Sequence, residues 1–202
     1  MTNREKYILS IYEELSDMGK HENVKLVKNT VNDGIYIKKT LKNYNIEIYK
    51  ILKNRQIKGI PKVYEIIEDE KELIIIEEYI HGLTLDKKYN KTDVETVKKI
   101  MEQLCNILKQ LRNMNPPIIH RDIKPTNIIV SNDDVVYLVD FNISREYDEN
   151  QSVDTVIMGT QGYASPEQCG FAQTDCRSDI YSIGMLMKNI LMVDEYPDKE
   201  TK

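Results

Sequence analysis

The chain has 202 residues, 41% hydrophobic and 30% charged, which suits one domain, or one domain of two lobes, with its own core. Its net charge of -5 disfavours nucleic acid or an anionic membrane as the main partner, because both attract basic surfaces. The three cysteines have no metal-binding spacing and are typical of reduced thiols in a cytosol. No apolar run indicates a membrane span or a signal peptide, so we expect a cytoplasmic protein.

The first third of the chain predicts mostly sheet with one helix. Asp33-Gly34 separates two short β-branched runs, which is typical of a hairpin. Ile48, Ile51 and Leu52 recur on one side of a short helical segment. The predicted elements are strands at 24–27 and 35–37, a helix at 44–52, and strands at 63–67 and 73–76.

The rest of the chain predicts mostly helix. A long stretch has apolar residues at helical spacing and ends before Pro116-Pro117. The predicted elements are this helix at 92–114, a hairpin of strands at 128–130 and 135–139, a loop at 142–165 and a last helix at 179–192.

Four polar side chains near the ends of these short strands could carry chemistry. Asp122, Asn127 and Asp140 offer oxygen ligands, and Lys124 follows Asp122 by two residues. Transfer of a phosphoryl group needs oxygen ligands for Mg²⁺, a carboxylate that accepts a hydroxyl proton, and a cation for the phosphate charge. Any one of these residues alone would more often be a turn residue.

The order and spacing of these residues resemble the eukaryotic-type Ser/Thr protein kinase family. The matching motifs are H-R-D-x-K-P-x-N from His120, D-F at Asp140, the run 159–167 and the helix that contains Asp179. The resemblance runs from about Tyr7 to Leu191, and the richness in Lys, Asn and Ile suggests a bacterial member. It implies an α+β, two-lobe kinase-like fold, with a small β-rich N-lobe at 1–80 and a mostly helical C-lobe at 81–202 that lacks its last helices.

The resemblance also implies roles for the catalytic residues. Asp122 resembles the base that orients the acceptor hydroxyl, and Lys124 would neutralise the transferring phosphoryl group, as in the Ser/Thr class. Thr160 would bridge Asp122 and Lys124 with its hydroxyl. Asn127 and Asp140 would hold Mg²⁺ between the phosphates of ATP.

The lysine that binds the ATP phosphates has two candidates. Lys39 lies fifteen residues after Val24 and puts Ile37 over the adenine, whereas Lys38 suits its flanking isoleucines but puts Tyr36 there. We prefer Lys39 slightly, with Glu47 as its ion-pair partner. The other expected ATP contacts are Gly19, Val24, Ile37, Ile129 and, in the hinge between lobes, Glu78 and Ile80.

Several positions depart from the family pattern. Glu77 falls at the usually apolar gatekeeper position, where a carboxylate is costly to bury unpaired, so we expect it to find a donor. Gly19 is the only glycine between Ser16 and Val24, which predicts a weaker grip on nucleotide. Asn142 replaces the glycine after Asp140-Phe141.

The C-terminal part departs from the family as well. The chain ends soon after the Asp179 helix, and the arginine that would pair with Glu167 is missing. We therefore expect an exposed apolar surface that another subunit or partner covers. Arg121 beside the base indicates control by phosphorylation, with Ser152 and Thr155 as candidate receivers.

Three functions compete. The leading one is ATP- and Mg²⁺-dependent phosphoryl transfer to Ser and Thr of protein substrates, with neither nucleic acid nor membrane as partner. The poor glycine content of the first loop supports a pseudokinase scaffold instead, whereas the full set of Asp122, Lys124, Asn127 and Asp140 opposes it. The third function is a small-molecule kinase. The run 159–167 opposes it, because this run resembles a segment that binds peptide substrates.

Overall fold

The computed structural model describes residues 1–18, 23–69, 72–89, 92–147, 159–169 and 172–191. Gly19, Ser152 and Thr155, which the sequence singles out, lie outside these residues, so their expected roles stay predictions.

The first part of the chain forms a five-stranded antiparallel sheet in the order β1-β2-β3-β5-β4. Strand β5, which lies between β3 and β4, is almost entirely buried because leucine and isoleucine fill both of its faces. Outer strand β1 is polar and exposed, which is why no hydrophobic alternation marks it in the sequence. The strands are β1 Tyr12–Asp17, β2 Val24–Asn29, β3 Ile35–Leu41, β4 Val63–Asp69 and β5 Glu72–Glu78.

Two helices accompany this sheet. Helix α1, Asn3–Ser10, begins with a capping box between Thr2 and Glu5 and was not predicted, since its apolar residues are few. Helix α2, Ile46–Asn54, begins at Asn45, whose side chain accepts a hydrogen bond from the amide of Glu47. The cap fixes where α2 begins, and Ile48, Tyr49 and Leu52 form its buried side.

The second part is mostly helical, as predicted. Its helices are α3 Leu85–Lys88, α4 Val94–Arg112 and α5 Cys176–Ile190, with 3₁₀ turns at Pro125–Asn127 and Pro166–Cys169. Short strands join them, namely β6 Gly82–Thr84, β7 Ile118–Ile119, β8 Ile128–Ser131, β9 Val136–Leu138 and β10 Arg145–Glu146. The predicted hairpins are present as β2-β3 and β8-β9.

One hydrophobic cluster includes side chains from both parts, such as Leu73 of β5, Leu104 of α4 and Leu186 of α5. The α+β architecture expected from the sequence is thus confirmed, while the boundary at residue 80 stays a prediction. Helix α5 leaves Ile180, Tyr181 and Met187 exposed. Within the described ranges, no helix has both the length and the apolar character needed to cross a bilayer.

Candidate active site

A cleft of about 600 Å³ lies between the sheet and the β8-β9 hairpin. Its walls include these residues from the sequence-based set: Val24, Ile37, Lys39, Glu78, Ile80, Asn127, Ile129 and Asp140. Of the expected nucleotide contacts, Lys38 and Glu47 do not line it, and neither do the expected catalytic residues Asp122, Lys124 and Thr160. The cleft therefore brings together most of the expected nucleotide contacts with both expected metal ligands.

Strand alternation separates the two candidate lysines. Lys39 is buried and faces the cleft, together with Ile37. Lys38 points to the other face of β3, where its Nζ lies 2.8 Å from Glu14 Oε1. The alternative of Lys38 as a nucleotide contact is therefore wrong for this structure.

Lys39 has an ion-pair partner, but it is not the expected one. Its Nζ lies 2.6 Å from Oε1 of Glu77, the gatekeeper residue that was expected to find a donor. Burial acts to lower the pKa of Lys39, but the charges of Glu77 and Asp140 and the hydrogen bond to Glu77 outweigh burial and raise it. The ammonium group is thus held in its charged form.

The expected Lys39–Glu47 pair is absent, and this expectation is corrected. Glu47 is exposed on the first turn of α2, and its Oε1 lies 2.7 Å from Lys50 Nζ. The reason is helical phase, since Ile48, Tyr49 and Leu52 occupy the buried side of α2. The Tyr49 hydroxyl donates to Asn142 Oδ1 at 2.7 Å, which ties α2 to the segment after Asp140-Phe141.

The Asp122 carboxylate is held by three side chains. Thr160 Oγ1 donates to its Oδ1 at 2.7 Å, while Lys124 Nζ at 2.7 Å and Asn127 Nδ2 at 2.8 Å contact its Oδ2. Lys124 also donates to Thr160 Oγ1 at 2.9 Å. The run 159–167 thereby meets the loop that contains Asp122, although the two are far apart in sequence.

Buried groups fix the backbone of that loop. The amides of His120 and Arg121 each donate to the carboxylate of Asp179 at 2.9 Å. Burial raises the pKa of Asp179, and the hydrogen bonds from the amides of His120 and Arg121, with the charge of Arg121, oppose that shift. Sequence reasoning placed Asp179 on an anchoring helix but did not identify these two bonds.

His120 is a neutral, fully buried imidazole. Burial lowers its pKa, and the nearby carboxylates of Asp179, Asp140 and Asp122 act in the opposite direction. Its Nδ1 accepts from the amide of Asp122 at 3.3 Å, so the proton lies on Nε2, which donates to Val139 O at 3.1 Å. His120 therefore joins the Asp122 loop to the strand end before Asp140.

Asp140 and Asn127 fit a divalent cation. Asp140 has a φ of 69°, and its buried Oδ1 has no hydrogen-bond partner. Asn127 uses its amide nitrogen on Asp122, which leaves the amide oxygen for a cation. The described residues contain no cluster of three acidic, His or Cys ligands. One carboxylate with an amide suits Mg²⁺, which takes its other ligands from phosphates and water.

The run 159–167 is anchored on α5. Ser182 Oγ donates to Tyr163 O at 2.8 Å, and Ser178 Oγ donates to Glu167 Oε1 at 2.7 Å. Within the described residues, Glu167 therefore has a hydroxyl partner on α5. Gln168, which sequence reasoning missed, donates through Nε2 to Arg121 O at 2.7 Å and links this run to the Asp122 loop.

Comparison with known proteins accounts for these motifs. The protein kinase domain model matches residues 14–202. A probable serine/threonine-protein kinase of Clostridium acetobutylicum is 35% identical over 131 residues, which is 64% of this chain and 20% of that protein. Serine/threonine-protein kinase A of Synechocystis is 35% identical over 139 residues, which is 61% of this chain and 26% of that protein.

Serine/threonine-protein kinase PknB of Mycobacterium tuberculosis is 36% identical over 121 residues, which is 58% of this chain and 19% of that protein. The matches thus cover about a fifth to a quarter of the length of these curated relatives. With a family match over almost the whole chain and a cleft that brings its motifs together, the chain belongs to the protein kinase family.

Proposed function

We propose that this protein transfers the γ-phosphoryl group of ATP to serine and threonine hydroxyls of protein substrates. The observation that carries the proposal is the Asp122 carboxylate, held by Thr160, Lys124 and Asn127 beside a cleft that contains Lys39 and Asp140. The names of the relatives and the lysine two residues after Asp122 support the Ser/Thr class.

In the proposed reaction, the acceptor oxygen forms a bond to the γ-phosphorus while the bond from that phosphorus to the bridging oxygen of ADP breaks. Asp122 orients the hydroxyl and takes its proton. Lys124, 2.7 Å from Asp122, supplies positive charge for the transferring group, and Thr160 holds both side chains in register.

The nucleotide would lie in the cleft, with the backbone of Glu78 and Ile80 on adenine and the Lys39 ammonium on the phosphates. Val24, Ile37 and Ile129 supply apolar walls. Asn127 and Asp140 would hold Mg²⁺, which when bound neutralises charge on the phosphates.

We further propose a cytoplasmic protein that acts on protein rather than on nucleic acid or membrane, supported by the acidic composition. The exposed Ile180, Tyr181 and Met187 support a second copy or a partner protein on α5. Light scattering of the purified chain tests self-association directly, and a monomer at all concentrations would leave only a different partner.

The decisive experiment incubates the purified chain with γ-labelled ATP, Mg²⁺ and a generic protein acceptor. Asp122→Asn should lower transfer by about 10²–10⁴-fold, because the base is lost. Asp140→Asn should also lower transfer and raise the Mg²⁺ concentration that is needed. The matched control is Asp133→Asn, an exposed turn residue, which should transfer as the wild type does.

Phosphoamino-acid analysis should find label on Ser and Thr. Nucleotide binding without transfer above that of Asp122→Asn would favour a pseudokinase, and label only on small acceptors would favour a small-molecule kinase. A chain that binds no nucleotide would contradict the proposal outright.

A further inference from the structure

In protein kinases the phosphate-binding lysine pairs with a glutamate of a helix. In this structure Lys39 pairs instead with Glu77, which lies on a strand. We propose that Glu77 of β5 is the residue that positions Lys39 for the nucleotide phosphates, in place of any carboxylate from helix α2. The inference rests on the proposed function and assigns to a gatekeeper side chain a task that usually belongs to a mobile helix.

Sheet register explains how Glu77 reaches Lys39. In the β3-β5 ladder, Ile37 lies opposite Glu77 and Lys39 lies opposite Ile75. Lys39 and Glu77 are therefore diagonal neighbours on one face of the sheet, within reach of two long side chains. The 2.6 Å between Nζ and Oε1 is thus set by backbone hydrogen bonds of adjacent strands rather than by the position of a helix.

Both side chains of the Lys39–Glu77 ion pair are shielded from solvent. The side chains of Lys39 and Glu77 are only 9% and 10% exposed, so solvent cannot replace either partner. Asp140 lies close enough to add to the charge that acts on Lys39. A charged lysine is therefore kept beside the gatekeeper, in the cleft that the expected metal ligand Asp140 also lines and where the phosphates of a nucleotide would lie.

Helix α2 offers no substitute. Glu47 is its one acidic residue, and it is exposed and paired with Lys50. The buried side of α2 carries Ile48, Tyr49 and Leu52 instead. Tyr49 bonds Asn142, so α2 contacts the segment after Asp140-Phe141 without contributing a charge to Lys39.

The arrangement has a mechanistic consequence. Where a helix glutamate positions the lysine, moving the helix removes the lysine from use, and this is a common means of control. Here Lys39 stays anchored to the sheet whatever α2 does. A movement of α2 alone would then leave the Lys39–Glu77 pair intact.

Two substitutions separate a charge role from a packing role. Glu77→Gln keeps the size of the side chain and loses the charge, whereas Glu77→Asp keeps the charge and shortens the side chain. If Glu77 positions Lys39 by charge, Glu77→Asp should retain more nucleotide affinity than Glu77→Gln, which should lose about 10-fold. If Glu77 only fills space, the order of the two variants should be reversed.

The measurement is the Kd of the full chain for Mg²⁺ with a non-hydrolysable ATP analogue, by calorimetry, alongside kcat and KM for ATP. The loss in Glu77→Gln should lie mainly in Kd and KM. Glu65→Gln, at a partly exposed position of β4 in an ion pair with Lys53, is the matched control and should bind as the wild type does. Circular dichroism checks that each variant is folded.

The remaining possible results would each contradict either the proposed role of Glu77 or the proposed function. A Glu47→Gln variant that loses as much affinity as Glu77→Gln would show that the helix carboxylate reaches Lys39 in the working state. Tighter binding or faster turnover in Glu77→Gln would mean that Glu77 withholds Lys39. If the wild type binds the analogue but transfers no phosphoryl group, the proposed function fails while the order of affinities still decides the role of Glu77. Absence of analogue binding by the wild type would overturn both.

Discussion

At the scale of single residues, Thr160 lies between the two charges that would act on an acceptor hydroxyl. Its one hydroxyl donates to Asp122 and accepts from Lys124. Without it, the carboxylate loses a donor on Oδ1, and Lys124 contacts only the carboxylate. The other oxygen of Asp122 would keep its contacts with Asn127 and Lys124, so the loop should stay folded.

Removing the Thr160 hydroxyl should therefore impair turnover rather than nucleotide binding. A hydrogen bond to a charged group contributes about 1.5–3 kcal/mol, so Thr160→Ala should lower kcat about 10–100-fold. Thr160→Ser restores the hydroxyl and should retain most activity. Steady-state kinetics with varied ATP checks both, and unchanged kcat in Thr160→Ala would contradict the bridging role.

His120 gives the fold a dependence on pH. The folded chain holds it neutral because burial lowers its pKa, whereas the unfolded chain takes up a proton near the ordinary value of about 6.5. As the pH falls below that value, the unfolded state gains a proton that the folded state lacks. The free energy of unfolding should therefore fall, by up to about 1.4 kcal/mol per pH unit from this group.

The check is urea unfolding at about pH 7.5 and about pH 5.5, on either side of the ordinary histidine pKa. His120→Asn should be less stable than the wild type at both values but should lose less on acidification. His81→Gln removes an exposed histidine and should keep the pH dependence of the wild type. An equal loss on acidification in His120→Asn would assign the effect to groups other than His120.

At the scale of elements, α5 forms hydrogen bonds with both the loop that contains Asp122 and the run 159–167. Asp179 in its first turn accepts the amides of His120 and Arg121, and Ser178 and Ser182 contact the run 159–167. These three side chains recur at spacings that place them together on one face of the helix. Loss of the carboxylate would leave two buried amides unpaired.

Asp179→Ala should therefore destabilise the fold by about 2–5 kcal/mol, since each unsatisfied buried donor costs about 1–3 kcal/mol. Urea unfolding measures the loss, and kcat of the remaining folded protein should also fall. Asp175→Ala is the same change at the N-cap of the same helix. It should cost about 1 kcal/mol and leave kcat unchanged. Equal losses of stability in the two variants would contradict the role of Asp179 as the acceptor for the two buried amides.

The sequence could predict elements with strong periodicity, but it could not predict which carboxylate forms an ion pair with which lysine. Helices α4 and α5 and both hairpins follow from apolar spacing and turn residues. The polar strand β1 carries no such signal. The partner of Lys39 depends on the phase of α2 and on the register of β3 against β5, neither of which local sequence sets. From the sequence, Glu77 could be recognised only as a carboxylate at the gatekeeper position, which is usually apolar.

At the scale of the whole molecule, the cleft exists because the two parts of the chain pack through one core. Gly59, between α2 and β4, accepts a hydrogen bond from the amide of Leu138 in β9 at 2.8 Å. A Cβ at Gly59 would lie 2.5 Å from Cδ1 of Ile107 in α4, and its φ of 87° favours glycine. Gly59 thus lets the segment after α2 approach both α4 and β9.

A pair of glycine variants tests this packing. Gly59→Ala and Gly184→Ala both reduce the conformational entropy of the unfolded chain, so that contribution is similar in the two. Gly184 lies inside α5 with open space around it, and alanine there should stabilise the fold by about 0.5–1 kcal/mol.

Gly59→Ala should instead destabilise the fold by about 1–3 kcal/mol, through overpacking against Ile107 and an unfavourable φ. Because Gly59 holds the segment after α2 against β9, the nucleotide affinity of the folded fraction should fall as well. Urea midpoints and calorimetry with the ATP analogue measure the two effects. Since the unfolded-state term is common to both variants, the difference between their midpoints reports the close approach of the two parts of the chain. A stabilised Gly59→Ala would show that this approach is not needed.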